Sequence, residues 1–243
     1  MAQLASSSAS PLYQQLLEDI KSDINSRKYV TGDKIPSEME LAAIYNVSRI
    51  TVRRAVSELC DEGYLVKRHG KGSFVTPPKI QRKIMQDQHV LSFTATCAMS
   101  GIHAGAQTLD IKRCPARQDE QSFLGLPPDS SVIYLQRVRT ADGEPVLLEN
   151  DFLPSPEFDG LLHENLNNCS LFDIMRQKYG RSPVSRKITT VEVARASQEY
   201  AKILHIAPGD ALFYITAYFL DEVGKPIFIG RQYFLASRFI FYF

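Results

Sequence analysis

Arg137 and Arg139 lie two residues apart in a stretch, 132–140, that alternates as a strand does, so their side chains leave one face. Two guanidiniums on one face suit a phosphate or carboxylate, which arginine grips through two parallel N–H groups. Far upstream, Arg49, Thr51, Arg53 and Arg54 occupy the opening turns of a segment in which Val52, Ala55, Val56 and Leu59 recur at helical spacing. A helix that buries this aliphatic stripe and presents Arg and Thr from its first turns suits the major groove of DNA. There arginine reaches guanine O6 and N7, while other cations fix the register on phosphates.

The elements around the upstream group have the spacing to hold it. Ser37 and Glu40 form a capping box, Leu41, Ala42 and Ile44 give a short apolar face, and Asn46-Val47 break it. Ser48 caps the next helix and Gly63 stops it. Leu65-Val66 then start a strand, Lys67 and Arg68 follow, and His69-Gly70-Lys71-Gly72 turns the chain back into Ser73-Phe74-Val75. Glycines beside cations let backbone approach a phosphate or enter a minor groove. Helix, turn, helix and basic hairpin in this order make a winged helix-turn-helix over 10–76. Net charge is only +1, with 28 basic and 27 acidic residues, so the case for DNA rests on placement. Between Glu62 and Asp87 there are six basic residues and no acidic one, and Leu41 to Ser57 holds three basic residues and no acid.

Before this block, 1–9 is small and polar and is expected to be a disordered tail. Ser10-Pro11 opens a helix to about residue 27, with Leu12, Leu16, Ile20 and Ile24 as its apolar stripe. Residues 77–88 are proline-capped, polar and basic, and are expected to link to a second domain at 89–243. There the pattern predicts strands at 106–113, 132–140, 146–153, 185–194, 211–220 and 227–234, with shorter pieces near 90–94 and 239–243. Helices are predicted at 119–124, 161–166, 171–179 and 197–204. Turn signals at Asp142-Gly143 and Val223-Gly224-Lys225 imply antiparallel pairing, hence an α+β domain on a mainly antiparallel sheet.

Composition excludes several classes. No apolar run approaches the roughly 18 residues of a membrane span, and the first ten residues lack the basic start and apolar core of a signal peptide. Cys60, Cys97, Cys114 and Cys169 are scattered, without a CxxC pair, so reduced thiols in a cytoplasmic protein are expected, with no metal site and no cofactor. No His, Cys or carboxylate constellation is committed to catalysis, and an enzyme is not expected.

PSEMELA at 36–42, VSRITVRRAVSEL at 47–59 and KRHGKGSFV at 67–75 together resemble the DNA-binding domain of the GntR family of bacterial transcription regulators. LSFT at 91–94, LQRVRTADGEPVLLENDFLP at 135–154, SLFDIMRQKYG at 170–180 and RQYFLASRFIF at 231–241 resemble the effector-binding domain of its HutC branch, which shares the chorismate lyase fold. The resemblance implies base and phosphate contacts at Arg49, Thr51, Arg53 and the wing tip His69-Gly70. Charge and capping add Ser37, Ser48, Arg54, Lys67, Arg68 and Lys71 as DNA-binding candidates. Met39 departs from the arginine that many members carry there.

For the ligand, the resemblance places Arg137, Arg139, Glu149, Ser170, Phe172 and Tyr233 at positions that contact phosphorylated amino sugars in family members, with Phe172 replacing a common Tyr. Ser92 and Thr94 could add hydroxyl donors, and Ser170 starts a helix whose exposed N–H groups attract anions. If Ala141-Asp142-Gly143 is a three-residue loop, Glu149 lies opposite Leu135 and shares the arginine face; a two-residue loop puts it on the other face. The family's placement of this Glu in the pocket favours the longer loop. The whole implies a homodimeric repressor on a pseudo-palindromic DNA operator, responsive to a small anionic metabolite. A pocket filled by side chains would instead favour a ligand-independent DNA-binding protein.

Overall fold

The computed structural model describes residues 10–68, 70–77, 79–84 and 90–242. The expected tail at 1–9, the wing-tip His69, residues 78 and 85–88 of the expected linker, and the final Phe243 lie outside them. The chain falls into two compact units, Met1–Lys79 and Ile80–Phe243.

The first unit is a winged helix-turn-helix of three helices, α1 (Leu12–Asn25), α2 (Glu38–Tyr45) and α3 (Arg49–Asp61), and an antiparallel hairpin, β1 (Leu65–Arg68) with β2 (Gly72–Val75). The capping box forms: Ser37 Oγ accepts from Glu40 N at 3.3 Å and Glu40 Oε2 from Ser37 N at 2.8 Å. Asn46, in the left-handed region at φ 53°, ends α2, and Ser48 Oγ accepts from Thr51 N at 3.2 Å to start α3. Leu16, Ile20, Leu41, Val52, Val56 and Leu59 meet in one core, and Tyr45 Oη donates to Asp19 Oδ2 at 2.6 Å across α1 and α2. The stripe of α1 is not the expected one. Leu12 is exposed and Leu17 is buried, because a strict four-residue repeat drifts around a helix of 3.6 residues per turn.

The second unit is α+β. Six of its strands are β4 (Ala104–Pro115), β5 (Ser131–Ala141), β6 (Glu144–Pro154), β7 (Ser185–Arg195), β8 (Ala211–Leu220) and β9 (Pro226–Leu235). They form one antiparallel sheet in the order β4-β5-β6-β9-β8-β7. Helices α4 (Phe93–Met99) and α6 (Leu171–Tyr179) pack on one face, through Phe93 and Cys97 against Leu147 and Phe234, and through Leu171 and Met175 against Ile133 and Leu135. Helices α5 (Gln118–Leu124) and α7 (Gln198–Leu204) cover the other, α5 near Val132 and Phe152 and α7 near Val138 and Leu148.

Three expectations are corrected here. Ile80–Lys83, read as linker, is a strand, β3, pairing in parallel with β10 (Phe239–Tyr242). Ile80 and Arg82 alternate inward with the exposed Gln81 and Lys83, a period-2 pattern too short to stand out beside the prolines. Residues 90–94 are not a strand: Ser92 Oγ accepts from Ala95 N at 3.1 Å and starts α4. The helix expected at 161–166 is a 3-10 turn at Asp159–His163.

Candidate DNA interface and effector site

In the first unit α3 offers Arg49, Ile50, Arg53 and Arg54 on its exposed side, with Thr51 half-exposed. Arg53 Nε and Lys67 Nζ converge on Glu38, at 3.4 and 3.0 Å, so recognition helix and wing strand are tied through the first turn of α2. Both cations hold Glu38 below the usual carboxylate range against the effect of burial, Lys67 contributing most. Arg54 faces another way: its guanidinium sits 3.7 Å over the Tyr13 ring and its Nε donates to Glu58. Arg68 lies over Phe74, and Gly70, at φ 68°, supplies the turn of the wing, whose Lys71 is exposed. Ser37 and Ser48 are the helix caps. Ile50, 80% exposed at the outer edge of α3, was not singled out in the sequence. An aliphatic side chain here reads as core by composition, and only the helix's orientation exposes it.

In the second unit the arginine face is as expected, by a different turn. The β5–β6 loop has two residues, Asp142 (φ 51°) and Gly143 (φ 86°), both left-handed as a tight hairpin turn requires. A β-bulge then shifts the register by one residue between Arg139↔Leu147 and Thr140↔Pro145, leaving Val146 as the extra residue. Glu149 therefore lies opposite Arg137, not Leu135, and shares its face. The bulge does what a longer loop would have done.

Arg137 Nη2 donates to Glu149 Oε2 at 2.8 Å and lies 3.9 Å from Asp151 Oδ2, while Arg139 Nη1 reaches the same Glu149 oxygen at 3.5 Å. Arg137 Nη1 donates to the Cys169 carbonyl, Arg139 Nε to that of Gly105 and Arg139 Nη2 to Thr94 Oγ1 at 2.9 Å. Ser170 caps α6 with its hydroxyl on Asp173 N, and Ser92 and Phe172 also line the site. Between these groups remains a cavity of about 20 Å³, roughly the room one water needs. Arg137 Nε and Asp151 Oδ1 are buried there without a hydrogen-bond partner.

Tyr233 is not part of this arrangement. β9 pairs Gln232 with Glu149, so Gln232 lines the cavity and Tyr233, one residue on, points to the opposite face. There it stacks on Tyr214 at 4.7 Å between ring centres. Gln232 and Asp151 are the residues the sequence did not disclose. Both read as ordinary strand positions until the register is known.

Burial opposes charge on Glu149, but Arg139 and Arg137 hold it below the usual carboxylate range. For Asp151 burial and then the Glu149 charge dominate, and its carboxyl is pushed up to about 8. At neutral pH the site thus carries two guanidiniums against one carboxylate, a net positive charge. Because the folded state keeps a proton on Asp151 that the unfolded chain releases near pH 4, Asp151 itself makes a contribution to stability that falls as pH rises from about 4 to about 8. Asp151→Asn removes this dependence. The variant should gain thermal midpoint over the native chain by a margin that grows from pH 5 to pH 8. Parallel pH profiles would mean that Asp151 titrates like a solvated carboxylate.

A winged helix-turn-helix joined to an α+β unit with buried arginines on its sheet defines a DNA-binding regulator with a small-molecule domain. The chain matches the gntR family of bacterial regulatory proteins over residues 12–75 and the UTRA domain over 99–240. It belongs to the gntR family, as a transcription regulator of the kind that carries a UTRA domain. It is 34% identical to the HTH-type transcriptional regulator YurK of Bacillus subtilis (strain 168), covering 93% of this chain and 91% of that one. It is 31% identical to the HTH-type transcriptional repressor NagR of the same organism, over 92% of each. The crystal structure of PhnF from Mycobacterium smegmatis superposes with a TM-score of 0.67 at 25% identity, covering 95% of this chain and 97% of that one. Among the described residues no helix is long and apolar enough to cross a membrane.

Proposed function

We propose that the chain is a homodimeric repressor, working in the cytoplasm, whose hold on a pseudo-palindromic operator is released by a small metabolite bearing a phosphate or carboxylate, a phosphorylated sugar or amino sugar above all. The carrying observation is the buried Arg137–Glu149–Arg139 network, whose guanidiniums share one internal carboxylate and leave Arg137 Nε unpartnered. An oxyanion entering beside Ser170, Ser92 and Thr94 can take over from Glu149, freeing that carboxylate to accept from ligand hydroxyls or an amine. In a cavity of about 20 Å³ it must part the helix starts of α4 and α6 to enter, and that movement is a candidate signal to the rest of the chain. Ligand and operator affinities are then coupled reciprocally.

On DNA, Arg49, Thr51 and Arg53 face base edges, with Ile50 placed to meet a thymine methyl group. Lys67, Arg68, Gly70 and Lys71 hold the backbone, as would His69, and Ser37 and Ser48 contribute through the helix starts they cap. Arg54, engaged with Tyr13 and Glu58, is the weakest of the base-contact candidates. Arg53→Ala is expected to cost operator binding about 1–3 kcal/mol and to relax preference at one base pair. Equal loss on every sequence would make Arg53 a phosphate contact.

The small cavity favours one second reading, a DNA-binding protein whose second unit needs no ligand. A thermal-shift screen against sugar phosphates, amino-sugar phosphates and small carboxylates separates the two. A concentration-dependent rise in the native chain, reduced in Arg139→Gln, supports the effector reading. No rise with any anion supports the second.

A further inference from the structure

Four arginines are buried among the described residues, and three of them, Arg137, Arg139 and Arg231, pair with carboxylates. The fourth, Arg82 on β3, has no carboxylate of the described residues within ion-pair distance, and its Nη1 has no hydrogen-bond partner among them. A buried cation without a counter-charge is costly, and such groups in folded proteins are ordinarily paired. Beside it lies Arg186 of β7, half-buried, whose Nη1 donates to the Ile84 carbonyl at 3.0 Å and which likewise has no carboxylate partner among the described residues. Each guanidinium is backed by an aromatic ring, Arg82 by Phe234 at 5.3 Å and Arg186 by Phe219 at 5.5 Å. Ring faces offset part of the charge but supply no counter-ion.

Both arginines line a cavity of about 540 Å³, far larger than the one at Arg137 and Arg139. Lys83 and Gln81 line it with the two arginines, Thr96 and Ser100 add hydroxyls from the α4 side, and Leu91 and Met99 give it an apolar wall. Neither Arg137, Arg139 nor Glu149 lines it, and among the described residues no carboxylate does.

We propose that Arg82 and Arg186 form a second anion site, separate from the Arg137–Arg139 site, that takes a phosphate or carboxylate group carried on a compact organic body. The bound oxyanion supplies the counter-charge that the fold omits. The apolar wall accepts the body of the ligand. Because β3 begins the second unit and, among the described residues, pairs with one strand, β10, occupancy would stiffen the first segment after the DNA-binding unit.

The test is the thermal midpoint of the full chain against inorganic phosphate and, separately, citrate, with sodium chloride at matched ionic strength as control. Four chains are compared: native, Arg139→Gln, Arg186→Gln and Arg82→Met. Phosphate or citrate should still raise the midpoint of Arg139→Gln, and which of the two acts names the group recognised. Arg186→Gln and Arg82→Met should need about tenfold more anion for the same response at this site, and Arg82→Met should be no less stable than the native chain without anion. A response in both variants equal to the native one overturns the proposal. So does its complete loss in Arg139→Gln, which assigns all anion binding to the first site. Loss in Arg186→Gln with none in Arg139→Gln upholds the second site and counts against the effector reading instead.

Discussion

Glu149→Gln should lower the unfolding free energy of the second unit by about 3–5 kcal/mol, the usual cost of removing one partner from a buried ion pair. Glu149 is 5% exposed and serves two guanidiniums that are themselves 1% and 3% exposed, so its loss leaves two like charges side by side with only the Asp151 carboxyl, 3.9 Å from Arg137, to offset them. The amide keeps the shape and removes the charge, so a fall of this size reports electrostatics and not packing. A second signature separates this site from an inert ion pair. Phosphate or sulfate should stabilise Glu149→Gln more than the native chain, because an external oxyanion can fill the vacated role. Denaturant unfolding with and without phosphate reads both effects. A variant within about 1 kcal/mol of the native chain would mean that the arginines are satisfied without Glu149.

Leu59→Ala is the second large effect, about 2–5 kcal/mol, and it should fall on the first unit alone. Leu59 is fully buried where α3 meets the core that also holds Leu16, Val52 and Val56. A unit of this size has little stability in reserve. Operator binding should therefore be lost at 37 °C while anion binding by the second unit survives, a division readable by following DNA binding and anion-dependent melting on one preparation. Joint loss of both would show that the units do not fold independently.

The first unit was nearly all legible in the sequence, because its signals are local. Ser37 with Glu40, Ser48 with Thr51 and the Val52–Leu59 stripe each lie within about two helical turns, and each forms as read. The sheet of the second unit was legible in its strands but not in its registers. Alternation put Arg137 and Arg139 on one face correctly, yet the partner of Glu149 depended on a bulge at Val146 that no local residue announces. The same kind of choice, one residue along β9, exchanged Tyr233 for Gln232. Long-range pairing also hid β3, whose four residues are a strand only because Phe239–Tyr242 lie beside them. Asp151 illustrates the remaining gap: a carboxylate reads as surface until burial next to Glu149 is seen.

Control of DNA binding by an anion held at Arg137 and Arg139 is the core of the proposed function. Its most direct test is fluorescence anisotropy of a labelled duplex, selected for binding by the full chain, titrated with the chain in the presence of phosphorylated sugars and amino sugars. At least one of them should weaken binding by about 5- to 150-fold, the usual range of allosteric coupling, and lose that effect in Arg139→Gln while the variant still binds the duplex. Unchanged DNA affinity with every such compound, or the same weakening in Arg139→Gln, would contradict the account.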